Sequence, residues 1–243
     1  MRGLSEDSHV VIDGEFNEVT LTETKQFQLN SGLTADGVVG PKTLSAAILR
    51  GFDIVKDSST DEDSPNWPPR PSHGSLTVSE RSRLFGRFSF EPAPTKNNPE
   101  GIKLTDNWSK ENIVLVQVSA LAGLPGSTSN GDVYVHQAVS KQFLQMFNDW
   151  TSAGLSEKIL TWGGMWVPRF IRGSRTSLSN HSWGTAFDIN VAWNGLGIRP
   201  ALKNERGSVR ELVDIAYKNG FYWGGWFPSR PDGMHFEAYK IIT

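Results

Sequence analysis

The sequence predicts an α+β protein: a small domain built on an antiparallel sheet, preceded by a small all-helical module. Three observations carry this. Beyond residue 77, two helical stripes stand among several short strand-like runs. The N-terminal part instead holds helix starts placed behind Asp-Gly turns. Between them, from Asp57 to about Ser75, lies a Ser-, acid- and Pro-rich stretch without apolar periodicity, the composition of an extended tether. The resulting division is a helical module over 1–54, a linker over 55–76 and the sheet domain over 77–243.

Bulk composition excludes several classes. A chain of 243 residues is long enough for a buried core. Its net charge of -2 and lack of any basic block argue against nucleic acid as a partner. The absence of cysteine removes disulfides, thiolate metal ligands and a cysteine nucleophile. No apolar run reaches the length of a membrane span. Met1–Asp7 lacks the apolar core of a signal peptide, so the expectation is a trimmed exported protein or one released by another route.

The module contains a weak repeat. Asp13-Gly14 precedes Thr20-Leu21 at the same offset as Asp36-Gly37 precedes Thr43-Leu44. Thr20 and Glu23 suit a capping box for a first helix that carries Leu21 and Phe27 and stops near Gly32. Pro41 suits the start of a second helix, with Leu44, Ile48 and Leu49 inward. Phe27-Gln28, Gly32-Leu33 and Asp36–Thr43 together resemble the three-helical peptidoglycan-binding module of cell-wall hydrolases. Only a short segment precedes Asp13, so a shortened module is expected.

In the larger domain, residues 80–110 read as irregular, and Ile113–Val118 as a buried strand. Gly123–Gly131 reads as a loop. Val139, Phe143, Met146, Phe147 and Trp150 share one helical face, with His136 at the start and Gly154 at the end. His136 is read as a capping or structural residue. Lys158–Trp162 reads as a strand, and Ser208–Lys218 as a helix whose inner face holds Val209, Leu212, Val213 and Ala216.

Two motifs carry chemistry. The first is Ser179–Asp188, with a histidine and an aspartate seven residues apart and small residues between. A strand over Thr185–Val191 puts Ala186, Asp188 and Asn190 on one face and apolar side chains on the other. A turn at Gly184 can fold His181 back beside Asp188. The second is Asp232–Glu237, where a strand over Met234–Tyr239 puts His235, Glu237 and Tyr239 on one face. His181, Asp188 and His235 make two imidazoles and one carboxylate, a three-ligand set with an open position, as in a catalytic zinc site. Asp232 is then the candidate general base. Glu237 reads as an exposed strand residue, or as a partner orienting a histidine. Trp183 and Trp226 are candidates to line the site; tryptophans are as often core.

Ser-x-His-x-x-Gly-x-Ala-x-Asp followed by Asp-x-x-His resembles the zinc D-alanyl-D-alanine carboxypeptidase and L-alanyl-D-glutamate endopeptidase family. The resemblance implies one zinc per chain on His181, Asp188 and His235, with Asp232 as acid/base. It implies an arginine that stabilises the developing oxyanion, with Arg169 the first choice and Arg172 the second. It also implies substrate contact by Ser179 and the small α+β fold shared with the hedgehog signalling domain. The partner implied is peptidoglycan, and the place of action the cell wall. A phage lysin and a trimmed exported enzyme both fit. A non-catalytic, zinc-containing wall-binding protein is the rival; Asp232 weighs against it, since a structural site needs no base.

Overall fold

The computed structural model describes residues 16–40, 43, 46–47, 67–228 and 230–242. The chain divides into two compact units, Met1–Ser58 and Ser59–Thr243. Among the described residues no helix is long and apolar enough to cross a membrane.

In the first unit, helix α1 (Glu18–Asn30) starts at Asn17, whose side-chain oxygen accepts from the backbone N–H groups of Val19 and Thr20. The asparagine, rather than Thr20, is the cap, because it reaches two donors that the helix leaves unpaired. Buried Gln28 then pins the Asp36-Gly37 turn to α1: its amide donates to Asp36 Oδ1 and the Val38 carbonyl and accepts from Gly37 N. It also donates to Thr43 Oγ1 at 3.1 Å. Thr43, Ala46 and Ala47 are helical, where the second helix is expected. Asp13-Gly14, Leu44, Ile48, Leu49 and the linker through Asn66 lie outside the described residues.

From Trp67 onward the second unit is described, and the chain packs within it. The Trp67 ring lies 5.2 Å from that of Trp223, and Trp226 Nε1 donates to the Pro68 carbonyl at 2.9 Å. The expected irregular stretch is in fact structured: α2 (Val78–Phe85), a hairpin of β1 (Phe90–Pro92) with β2 (Ile102–Leu104), and α3 (Trp108–Asn112). Helix α2 opens on a capping box between Thr77 and Glu80. Next, β3 (Ile113–Gln117) pairs antiparallel with β4 (Asp132–His136) as a separate ribbon. β3 is therefore not the buried strand expected: Leu115 is 53% exposed. Helix α4 (Gln137–Ser152) buries the predicted face, and His136 caps it, its Nδ1 accepting from Ala138 N at 3.1 Å.

The central sheet is antiparallel, with spatial order β5 (Trp162–Gly164), β6 (Ala186–Ile189), β8 (His235–Ala238), β7 (Phe221–Trp223). Lys158 is not in a strand but in a 3-10 turn, Ser156–Lys158. The Ser208–Lys218 helix is a 3-10 turn, Arg210–Leu212, leading into α5 (Val213–Lys218). One sheet face packs on α4 as an aromatic core: Phe187 stacks on Phe236 at 5.3 Å and meets Phe143, Phe147 and Trp150. The other face carries the two motifs.

Candidate metal centre

The two motifs meet across the sheet. Asp188 on β6 stands directly opposite His235 on β8, and Ala186 opposite Glu237. Residues paired in this way point to the same face, so alternation explains why the aspartate and the histidine converge. The strand ends earlier than expected. Asn190 takes φ 53, a left-handed conformation that asparagine tolerates. Its side chain turns away and bonds Leu160 N and the Lys158 and Gly207 carbonyls.

His181 lies on a 3-10 turn, Asn180–Trp183, which Gly184 ends at φ 65. This folds its Nε2 to 3.2 Å from Asp188 Oδ1, while His235 Nδ1 lies 3.0 Å from the same oxygen. His181, Asp188 and His235 are all buried and offer ligand atoms within 4.8 Å of one another.

The protons on these rings can be assigned. His181 Nδ1 faces the Met165 carbonyl at 3.0 Å. A carbonyl only accepts, so Nδ1 carries a proton, and once Nε2 gives up its own proton its lone pair faces the Asp188 carboxylate. That Nε2 is sealed from solvent and has no hydrogen-bond partner. Two lone-pair donors facing each other in a buried site fit a cation between them. His235 is held by carboxylates at both nitrogens, with Nε2 3.0 Å from Glu237 Oε2. Burial alone would lower its pKa, but the bonds to Asp188 and Glu237 outweigh this and raise it to about 10. Burial likewise opposes ionisation of Asp188, yet the charges and hydrogen bonds of His181 and His235 hold its carboxyl well below the usual range. The set suits a divalent cation of intermediate softness, with His181 Nε2, an Asp188 oxygen and His235 Nδ1 as donors.

Glu237 is no exposed residue. It is 4% exposed and accepts from Asn180 Nδ2 as well as facing His235 Nε2. It fixes the orientation of the His235 ring, as carboxylates beside metal-binding histidines do. Asp232 is brought beside the cluster by a turn in which His235 N donates to the Asp232 carbonyl and Asp232 N to the Gly224 carbonyl. A Cβ on Gly224 would lie 2.5 Å from that Asp232 carbonyl, so glycine permits the approach. Asp232 Oδ1 is sealed and unpartnered. Burial, opposed by His235 and reinforced by Asp188, raises the Asp232 pKa to about 6.

A cleft of about 390 Å³ opens over this group. Arg169, Arg172, Ser179, Asp232, His235 and Glu237 line it. Of the two arginines, Arg169 is the more enclosed and feels the charges of Asp188 and Asp232, whereas Arg172 pairs with Glu100 at 3.6 Å and is half-exposed. Ser182 holds Arg169 in place, accepting from its N–H and donating to its carbonyl. Trp183 and Trp226 do not line the cleft. They are 2% and 4% exposed, and their N–H groups are spent on the Gly86 and Pro68 carbonyls. Sequence reasoning missed several cleft residues, among them Asn180, Arg230 and Arg81 on α2. The Thr77–Glu80 capping box is the signal that marks its helix, although nothing in the sequence aims Arg81 at the site.

Comparison with known proteins agrees with this geometry. Residues 172–238 match the family model for D-alanyl-D-alanine carboxypeptidase. Residues 3–47 match the model for a "Putative peptidoglycan binding domain". No curated protein and no solved structure matches the chain. The segment that holds His181, Asp188, Asp232 and His235 thus carries the pattern of the D-alanyl-D-alanine carboxypeptidase family, and the N-terminal segment that of a peptidoglycan-binding module.

Proposed function

We propose that the protein is a zinc metallopeptidase that hydrolyses an amide bond in the stem peptide of peptidoglycan. The observation that carries the reading is the buried His181, Asp188 and His235 cluster beside an unpartnered Asp232 carboxylate oxygen. The pairing of a peptidase segment with a wall-binding segment in one chain supports the substrate class. His181, Asp188 and His235 would hold the zinc. When bound, zinc polarises the scissile carbonyl and makes water a stronger nucleophile near neutral pH.

The residues divide the remaining work. Asp232 takes the proton of the attacking water and returns it to the leaving amine. It lines the cleft, with Oδ1 closed to bulk solvent. Arg169 supplies positive charge where the carbonyl oxygen becomes an oxyanion, and Arg172 at the rim adds to the field. Ser179 contacts the substrate from the cleft wall. Glu237 and Asn180 keep the His235 ring in its orientation. The L-alanyl-D-glutamate bond and the D-alanyl-D-alanine bond are both compatible with this site. A wall-anchored enzyme gains more from cutting within the stem than from trimming its end, which favours the endopeptidase.

Mass spectrometry of products from defined muropeptides tests the reading. Zinc-loaded protein is expected to release either L-alanine-linked glycan or single D-alanine, with about one zinc per chain. His181→Ala and Asp232→Ala are expected to abolish release. Full activity in either variant would refute the mechanism.

A further inference from the structure

We infer that Arg81, on α2 and outside both matched segments, anchors a carboxylate of the peptide bound in the cleft. The inference rests on the stem-peptide reading above. Arg81 is 8% exposed and lines the cleft wall. Its Nε is sealed from solvent and lacks a hydrogen-bond partner. Among the described residues its guanidinium makes no hydrogen bond and no ion pair. It rests on the Trp183 ring, 5.7 Å from the centroid, and the charge that acts on it is that of Glu237. Glu237 is already engaged by His235 and Asn180.

A buried cation with unmet donors is costly, and the fold does not let it escape. The Thr77–Glu80 capping box fixes the first turn of α2, and Phe85 in its last turn is buried in the core. The planar fork of a guanidinium matches a carboxylate with two parallel hydrogen bonds. Asn180 Oδ1, on the same cleft, is a buried acceptor without a donor. A peptide residue with both a free carboxylate and an N–H meets both needs; a neutral sugar meets neither as well.

The position agrees with the chemistry. Arg81 and His235 line the same cleft, and Glu237, whose charge acts on Arg81, is two residues from His235 along β8, about 6.6 Å at the usual strand rise. A carboxylate anchored on this shared wall belongs to a residue next to the scissile bond in the proposed arrangement. Both candidate bonds satisfy this. In D-alanyl-D-alanine the leaving residue ends in its α-carboxylate. In L-alanyl-D-glutamate linked onward through the γ-carboxyl, the leaving residue keeps its α-carboxylate free. Either carboxylate is attached to the carbon that bears the scissile nitrogen.

The test compares a synthetic stem pentapeptide with two counterparts, one amidated at the D-glutamate α-carboxylate and one at the terminal D-alanine. The protein is the zinc-loaded full chain. One amidation is expected to lower kcat/KM of the parent protein roughly tenfold, mainly through KM. Arg81→Met is expected to lower kcat/KM on the acid peptide by a similar factor and to lose the discrimination. Zinc content should stay unchanged. Arg81→Lys, which keeps charge but not the fork, should retain part of the discrimination; if Arg81→Met fails to fold, this variant decides. Discrimination as strong as the parent's in the variant that folds would overturn the inference and leave Arg81 as a balance for Glu237. If the parent cleaves none of the three peptides, the stem-peptide reading itself falls, and the inference with it.

Discussion

At the residue scale, the centre turns on one oxygen. Asp188 Oδ1 faces His181 Nε2 at 3.2 Å and His235 Nδ1 at 3.0 Å, so protons or a metal must hold the three together. Asp232 is the opposite case, with its Oδ1 enclosed and without a partner. Burial raises its pKa from 3.8 to about 6. The folded chain therefore binds this proton more tightly than the unfolded chain. The stability it contributes is complete below about pH 3.8 and is lost as pH rises through about 6. At pH 8, in metal-free protein, the ionised group costs about 3 kcal/mol. Asp232→Asn is thus expected to unfold at a higher urea concentration than the parent at pH 8, and at a similar one near pH 3.5, after metal removal. An equal shift at both pH values would show that the carboxylate's charge is not the cause.

At the element scale, a turn rather than a strand delivers His181. Gly184 takes φ 65, and a Cβ there would lie 2.9 Å from Ile113 Cδ1 and 3.1 Å from His136 N. Its carbonyl also accepts from His136 N at 2.9 Å, which docks the turn on the start of α4. Gly184→Ala should therefore cost about 1–3 kcal/mol in stability. It should also weaken binding of the proposed zinc, read by competition with a chelator, because the same strain displaces His181. Unchanged zinc affinity in a destabilised variant would separate the turn from the centre. These elements also explain what was legible in the sequence. The period of α4 and the alternation through Asp188 and His235 are local signals, and they survive folding intact. Strand ends were less legible: Asn190 leaves β6 because its side chain satisfies backbone groups of two other segments, a long-range bargain. The burial of Glu237 was hidden for the same reason, since Asn180 and His235 reach it from different elements. Helix α2 left a trace in Thr77 and Glu80, but its place over the cleft depends on contacts far along the chain.

At the scale of the whole molecule there are two compact units: Met1–Ser58 includes the segment matched to a peptidoglycan-binding domain, and Ser59–Thr243 holds the His181, Asp188 and His235 cluster and its cleft. The cluster, Asp232, Arg169 and Arg81 all belong to the second unit. The proposed role of the first unit is felt only where substrate is fixed in place. Holding an enzyme on an insoluble polymer turns each encounter into a local search at raised effective concentration, whereas a small soluble fragment gains nothing from the anchor. A chain of residues 59–243 is therefore expected to match the full protein on soluble muropeptides and to fall about 100-fold behind on isolated sacculi at low enzyme concentration. Raising the enzyme concentration should close that gap, because excess enzyme replaces the effect of tethering. A gap that persists at saturation would mean that the first unit acts on catalysis itself, and equal rates at every concentration would mean that it does not hold the wall.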